Sequence, residues 1–162
     1  MKPTKRAWLI MPACAFAGLV HAGELRLSPY VQYGATHNAN LFSEPAQTAR
    51  ADNIERAAVG AFASWPISRQ RATLAIEPSR YRYQRFDALD HDEYDGRGAW
   101  TFEVGPLVYG VLSYDQRRYL QAIDNRDTRE PDFIVEKQPE VDAYIAVTPD
   151  WQIHTRAGLL EL

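Results

Sequence analysis

The residues able to carry out chemistry are few and widely separated in this sequence. Beyond residue 22 the histidines are His37, His91 and His154, and none has a second histidine at metal-ligand spacing. No Ser, His and Asp order of a nucleophilic site is present, nor is a phosphate-binding or dinucleotide-binding glycine motif. A lone histidine in a polar segment is usually solvated. The sequence therefore predicts a protein that is not an enzyme and needs no cofactor.

Oxygen ligands are concentrated in one acidic segment, residues 87–96, which reads DALDHDEYDG. Asp90, Asp92 and Asp95 precede Gly96, and calcium takes several hard oxygen ligands on a tight turn. The spacing is not that of an EF-hand loop, because one extra residue precedes the glycine and no glutamate stands at the closing position. Solvated loops are often acidic as well, so the segment is a calcium candidate and no metal site is predicted.

Arginine is the main cation of the sequence, since Lys137 is the only lysine beyond residue 22. Arginine forks match carboxylates and hydrogen-bond to hydroxyl-rich ligands. A charged, wet protein surface also needs no ligand at all, and for any single arginine that interpretation is the stronger one. The residues predicted to face a wet lumen or a glycan are Glu77, Arg80, Arg82, Arg97, Arg117, Arg118, Glu140 and Asp142.

The first 22 residues have the pattern of a Sec signal peptide. A basic start (Lys2, Lys5, Arg6) precedes an apolar run over residues 7–20, and Val20-His21-Ala22 supplies a cleavage site before Gly23. The run is shorter than the roughly 20 apolar residues of a membrane-spanning helix. A lipoprotein signal at Cys14 is the weaker alternative. Residues 1–22 are predicted to be removed, which leaves residues 23–162 as one domain.

Removal of this segment changes the composition of the chain. The single cysteine leaves with it, so the mature chain can form neither a disulfide nor a cysteine-based metal site. Three basic residues leave too, so 15 basic residues face 21 acidic ones, a net charge of −6. A surface of that sign disfavours nucleic acid, whose phosphates need cations.

The rest of the chain alternates between apolar and polar residues, as strands with one buried face do. In residues 71–86, Ala72, Leu74 and Ile76 are predicted on one face, with Thr73 and Glu77 on the other. Past Pro78, Arg80 and Arg82 are expected to join the polar face. Seven strands are predicted, over residues 25–34, 54–65, 71–86, 97–105, 107–120, 138–147 and 151–162.

The connections between these strands are alternately long and short. The long ones are residues 35–53, 87–96 and 121–137, and the short ones are residues 66–70, 105–106 and 148–150. Outer-membrane barrels have short periplasmic turns and longer extracellular loops. With an exported N-terminus the alternation has the phase that a barrel requires. We therefore expect an all-β fold, an antiparallel up-and-down transmembrane β-barrel.

Aromatic residues near the strand ends are predicted to form girdles at the two membrane interfaces. Trp65 and Trp151 abut short turns, whereas Trp100, Tyr81 and Tyr83 are expected toward the long loops. Bacterial barrels have even strand numbers from eight upward, and about seven strands are present here. The barrel is therefore predicted to be incomplete, with residues 23–162 its N-terminal part.

Several short motifs resemble a known family. The first is Tyr30 and Gly34 before the stretch NANLF at residues 38–42, and the second is the turn Ser68-Arg69-Gln70. The third is a series over the third and fourth predicted strands, namely Tyr81, Tyr83, Phe86, Leu89, Tyr94, Gly96 and Trp100. The pattern resembles EpsL-like outer-membrane β-barrel proteins encoded in exopolysaccharide biosynthesis operons, which are grouped with porins. Members of that family are more than twice this length.

The resemblance implies a porin-like protein of the outer membrane that takes part in export or surface assembly of an exopolysaccharide. The implied partners are outer-membrane lipid, the exopolysaccharide and other proteins of the export machinery. The family contributes no catalytic residues. Two alternatives remain open at this point, namely a soluble periplasmic β-sandwich that binds glycan and a non-functional truncated fragment.

Overall fold

The computed structural model describes residues 24–121, 132–148 and 150–162. The predicted signal peptide, residues 1–22, lies outside the described residues. The described chain is all-β apart from one short 3-10 helix, Asp87–Leu89. Its seven strands are β1 Arg26–Asn38, β2 Asp52–Ile67, β3 Gln70–Tyr83, β4 His91–Val104, β5 Val108–Leu120, β6 Phe133–Thr148 and β7 Trp151–Gly158.

The strands form one antiparallel sheet in which each strand pairs with its neighbours in the sequence, in the order β1 to β7. This confirms the predicted all-β, antiparallel up-and-down arrangement of seven strands. The sheet is open, with β1 and β7 as its two edges. Closure into a barrel therefore stays a prediction.

Two strands, β4 and β6, begin well before their predicted first residues. β4 starts at His91 and not at Arg97, because its acidic first residues pair with the end of β3, as in Tyr81↔His91 and Glu77↔Asp95. β6 starts at Phe133 and not at Gln138, since Val135 and its neighbours pair with the end of β5. Alternating charged and apolar residues are compatible with a strand that has one face in water.

The predicted difference in connection length between the two ends of the strands is confirmed. Residues 39–51 and 84–90 connect strands at one end, the long-loop end, as does the partly described segment 121–132. Residues 68–69, 105–107 and 149–150 connect strands at the other, the short-turn end. Ser68 and Gly105 have positive φ values of 56° and 60°, a backbone conformation that tight turns require.

The pairing register divides the side chains between two faces, because directly opposed residues of neighbouring strands point to the same side. A shift in register occurs only between Ala146 and Thr148 among the described strand pairs. The polar face carries most of the charged residues of the sheet, including Arg56, Glu77, Glu93, Asp95, Arg97, Arg117, Glu136, Glu140, Asp142 and Arg156. The apolar face carries Leu27, Val31, Val59, Trp65, Leu74, Ile76, Trp100, Leu112, Val141, Ile145 and Ile153.

The apolar face is exposed along the sheet. Val31 is 62% exposed, Leu74 50% and Ile153 56%. Among the described residues, the buried apolar side chains apart from Ala58 are Phe42, Tyr83 and Leu89, which form a cluster at the long-loop end. Among the described residues, no helix is long and apolar enough to cross a membrane.

A buried carboxylate joins two long connections at this cluster. Asp52, 2% exposed, begins β2 where residues 39–51 end. Its Oδ1 accepts hydrogen bonds from the amides of Asn53 (2.7 Å) and Arg85 (3.0 Å), and its Oδ2 accepts one from the Phe86 amide (3.2 Å). The ring of Phe86 meets Phe42 edge-on at 5.0 Å, and Arg50 lies 4.2 Å over the Phe42 ring.

The change Asp52→Ala is expected to lower the free energy of unfolding by about 3 kcal/mol, since buried donors lose a charged acceptor. Hydrogen exchange should quicken first at the amides of Arg85 and Phe86. The matched control is Asp92→Ala, an exposed carboxylate of the same sheet, for which a change below about 0.5 kcal/mol is expected. Unchanged exchange at Arg85 and Phe86 would contradict this role of Asp52.

Candidate functional site

A row of polar residues crosses the polar face at one level of six strands. Successive cross-strand partners are Tyr30, Gly60, Glu77, Asp95, Arg117 and Glu136, one from each of β1 to β6. This transverse row, as we name it, forms because every pair keeps its register. Two clusters lie along this row, and each contains a tyrosine, an arginine and a glutamate.

The first cluster spans β1 to β3. The Tyr30 side chain lies over Gly60, and its hydroxyl donates a 2.7 Å hydrogen bond to Glu77 Oε2. Arg56 forms an ion pair with the other oxygen of Glu77 and donates to Gln32 Oε1 at 3.1 Å. A Cβ atom built on Gly60 would overlap the Tyr30 ring. Glycine at this position is therefore what lets the tyrosine reach across β2.

The second cluster joins β5 and β6. The Arg117 guanidinium donates two hydrogen bonds of 2.9 Å to the two carboxylate oxygens of Glu136. This fork geometry fixes the orientation of both side chains. The Tyr119 hydroxyl donates to Glu136 Oε2 at 3.4 Å, and the Arg117 Cζ lies 5.6 Å from the Tyr119 ring centre.

The polar face between the two clusters forms a groove of about 550 Å³. Tyr30, Arg56 and Glu77 border it on one side, and Arg117 and Tyr119 on the other, with Glu93 and Asp95 on the strand between. Charges of both signs alternate with phenol hydroxyls along its walls. Such a lining offers hydrogen-bond donors and acceptors to a hydroxyl-rich or charged solute.

A histidine and a glutamate lie at the long-loop edge of the groove, beyond the apolar stretch of the opposite face. His91 Nδ1 donates to the Leu89 carbonyl oxygen at 2.7 Å, and Nε2 lies 3.1 Å from Glu93 Oε1. Since both ring nitrogens face oxygen acceptors, the doubly protonated imidazolium is favoured. Burial alone would lower the pKa of His91, but the hydrogen bonds to Glu93 and to the Leu89 carbonyl raise it above its ordinary value.

The Glu93 carboxylate responds in the opposite direction. Burial opposes its ionisation, but hydrogen bonds from His91 and from the Leu120 amide, the latter at 2.8 Å, lower the pKa of Glu93 below its ordinary value. Tyr81 stacks on the His91 ring at 4.9 Å. The charged pair therefore exists between the lowered pKa of Glu93 and the raised pKa of His91.

A different arrangement covers the polar face at the short-turn end. The rings of Tyr109, Tyr144 and His154 stack in sequence across β5, β6 and β7, with centroids 5.1 Å and 4.3 Å apart. His154 Nε2 lies 3.0 Å from Asp142 Oδ1, and Arg156 donates to Glu140 Oε2 at 2.8 Å. Ion pairs and stacked rings thus continue along the polar face away from the groove.

The structure separates the residues predicted to face a lumen into two sets. Those on the polar face are Glu77, Arg97, Arg117, Glu140 and Asp142, with Arg97 3.4 Å from Asp115. The prediction for Arg80, Arg82 and Arg118 is wrong, because the register puts them on the apolar face, at its long-loop end. Pro78 causes no bulge in β3, so the two-residue alternation continues through it.

The aromatic predictions divide in the same way. Trp65 and Trp100 are exposed on the apolar face, on either side of Ala72, and Trp151 begins β7 and is 73% exposed. All three lie toward the short-turn end, so the placement of Trp100 near a long loop is wrong. Tyr81 and Tyr83 lie on the polar face, packed against His91, and are not interface residues of the apolar face.

The three aspartates of the calcium candidate do not converge. Asp92 and Asp95 point to opposite faces of β4, and Asp90 Oδ1 accepts a hydrogen bond from the Tyr83 amide at 2.7 Å. Within residues 24–121, 132–148 and 150–162, no group of three acidic or histidine side chains is arranged to hold a metal ion.

Sequence reasoning missed Tyr30, Arg56, Glu93 and Glu136, which make the shortest contacts of the groove. Tyr30 and Glu77 are 47 residues apart, and only the register of two strand pairs brings them together. Gly60 within the predicted second strand was the available signal, since a glycine inside a strand marks a close approach. No family model, curated protein or solved structure matches the chain.

The change Gly60→Ala is expected to displace the Tyr30 ring and to lower the free energy of unfolding by about 2 kcal/mol, through overpacking and a lost hydrogen bond. Gly98→Ala is the matched control, because a Cβ at Gly98 meets nothing within 4 Å. Denaturant unfolding, followed by tryptophan fluorescence, measures the stability of both variants. Equal stability of the two variants would contradict the close approach at Gly60.

The His91 imidazole is expected to titrate above its ordinary pKa of 6.5 in an NMR titration. In Glu93→Gln the pKa should fall, because the carboxylate no longer stabilises the imidazolium. The wild-type interaction stabilises the fold fully at those pH values below 6.5 at which Glu93 is still ionised. This stabilisation is lost as the pH rises through the raised pKa of His91. His37 and His154, whose rings contact other partners, serve as internal controls. An unchanged His91 titration in Glu93→Gln would refute this assignment.

Proposed function

We propose that the seven strands belong to a membrane-spanning β-barrel, with the apolar face against lipid and the polar face around an aqueous lumen. The observation that carries this proposal is the long exposed apolar face, with residues such as Val31, Leu74 and Ile153, opposite a charged face. Barrel strands alternate apolar-out and polar-in in this way.

Strand length supports the proposal. β1 to β6 contain 13 to 16 residues each, more than the roughly 9 to 11 that a tilted strand needs to cross a bilayer. Trp65, Trp100 and Trp151 at the short-turn end fit one aromatic girdle of such a barrel. Arg80, Asp92 and Arg118 end the apolar stretch toward the long loops.

Strand direction limits how the sheet can close. β1 and β7 both run from the short-turn end toward the long-loop end, since every neighbouring pair is antiparallel. Joining them directly would create a parallel seam. A barrel that is antiparallel throughout therefore requires an odd number of further strands between β7 and β1, which also satisfies the edge hydrogen bonds in lipid.

We assign to this barrel a porin-like role in exporting an exopolysaccharide or assembling it at the cell surface, with the outer membrane as its location. The groove supports this choice, because its tyrosines, arginines and carboxylates match the hydroxyls and carboxylates of such a polymer. The family resemblance points to the same substrate class. A soluble glycan-binding sandwich is less well supported, because in the described part of the chain all strands lie in one layer.

The change Leu74→Arg, near the middle of the apolar face, is expected to prevent insertion, at a cost of about 2–4 kcal/mol for a cation in the bilayer. The adjacent Thr73→Arg is the matched control, because position 73 lies on the polar face. Protease protection in lipid vesicles measures insertion. Equal protection of the two variants would contradict the assignment of the apolar face to lipid.

The same pair of variants tests the role in export. In the producing cell, Leu74→Arg should abolish the polysaccharide at the surface, and Thr73→Arg should retain it. Surface polysaccharide is measured on intact cells while the amount of each variant is followed in the membrane fraction. Normal polysaccharide in cells that lack an inserted chain would refute the export role and leave the membrane assignment to the vesicle experiment.

A further inference from the structure

A groove of about 460 Å³ lies on the apolar face where that face meets the long-loop end. Val31, Ala57, Val59 and Pro78 line its apolar part. These are short or compact side chains, so the surface there is recessed relative to the larger residues nearby. In the proposed membrane orientation this recess faces lipid and not the lumen.

Two arginines border the same groove at its polar end. Arg80 comes from β3 and pairs with Asp92 of β4, whereas Arg118 comes from β5 and pairs with Tyr94 of β4. Both guanidinium groups were expected in a lumen, and the register puts them instead on the outer side of the sheet. A groove that is apolar along its length and cationic at one end has the shape and polarity of a single anionic lipid molecule.

The contacts of these side chains leave them available to a ligand. Arg80 Nε is 3.9 Å from Asp92 Oδ1, at the limit of an ion pair, and the two side chains are 59% and 68% exposed. Arg118 donates to the Asp92 carbonyl oxygen at 3.1 Å and lies 3.9 Å over the Phe133 ring. The Arg118 side chain is thus oriented by neighbours that do not neutralise its charge.

The charge balance of the site is positive. Two guanidinium groups face one carboxylate, and Arg82 lies two residues further along β3 on the same face, opposite Glu55. Arginine binds phosphate through paired N–H donors, and the interaction strengthens where water is displaced. An acyl chain along Val31, Ala57 and Val59 would bury apolar area from both partners.

We propose that this groove is a binding site for one anionic, phosphate-bearing membrane lipid, with the phosphate held by Arg80 and Arg118 and an acyl chain along the apolar part. The proposal rests on the proposed function, because only a chain that spans a membrane presents this face to lipid. The negative charge of Asp92 competes with the lipid phosphate for Arg80, so Asp92 lowers the affinity of the site for an anionic lipid.

The test is native mass spectrometry of the full chain in detergent, titrated with phosphatidylglycerol or with phosphatidylcholine. We expect the wild-type chain to bind the anionic lipid at least five-fold more tightly. The double variant Arg80→Gln/Arg118→Gln should lose this preference. Asp92→Asn should increase it by about three-fold, because the competing carboxylate is gone while the side chain keeps its size.

Two controls separate the site from general charge effects. Arg71→Gln/Arg97→Gln removes the same charge from the polar face and should keep the lipid preference. Inorganic phosphate at millimolar concentration should compete poorly, because it has no acyl chain to fill the groove. Full competition by phosphate would overturn the proposal in favour of a site for small anions.

The remaining outcomes distinguish this proposal from the proposed function. If the wild-type chain is protected in vesicles but binds both lipids equally, the lipid site is refuted and the membrane assignment stands. An equal loss in both double variants also refutes the site. If the chain is unprotected in vesicles and binds neither lipid, the proposed function fails together with the inference that rests on it.

Discussion

The register of the strand pairs is the constraint on which the rest of this protein depends. From β1 to β6 the partners follow one another without a bulge, and the first irregularity lies between Ala146 and Thr148. A slip of one residue would exchange the faces of every side chain on a strand. Leu74 would then move to the polar face and Glu77 to the apolar face. The alternation of apolar and charged residues therefore favours a single register.

The transverse row is a product of that register and shows how the wet face is stabilised. Arg117 with Glu136, and Arg56 with Glu77, join neighbouring strands by charge-assisted hydrogen bonds. Tyr30 reaches across the Gly60 position, and on the opposite face the Phe102 ring lies against Gly110 in the same manner. Glycine beneath an aromatic ring, once on each face, fills the gap that a missing side chain would leave in the sheet.

Much of the architecture could be predicted from sequence, because period-two alternation and the spacing of turn residues are local signals. The errors have local causes as well. Arg80 and Arg82 resemble lumen residues by type, yet the alternation continues unbroken through Pro78 and places them on the apolar face. His91 begins a strand inside a segment whose acidity resembles a loop. The contacts of Tyr30 with Glu77 and of Arg117 with Glu136 depend on pairing between distant segments, which one sequence does not reveal.

The difference in connection length between the two ends of the strands has a consequence for the evolution of this protein. At the short-turn end, Ser68 and Gly105 have left-handed backbone conformations, so an insertion there would disturb two strands at once. At the long-loop end, doubling the length of a connection adds only about 0.6 kcal/mol of closure entropy. New sequence can enter residues 39–51 while Asp52 keeps the strand start in place. Insertions are thus disfavoured at the short-turn end. They are tolerated at the long-loop end, where new binding specificity can arise.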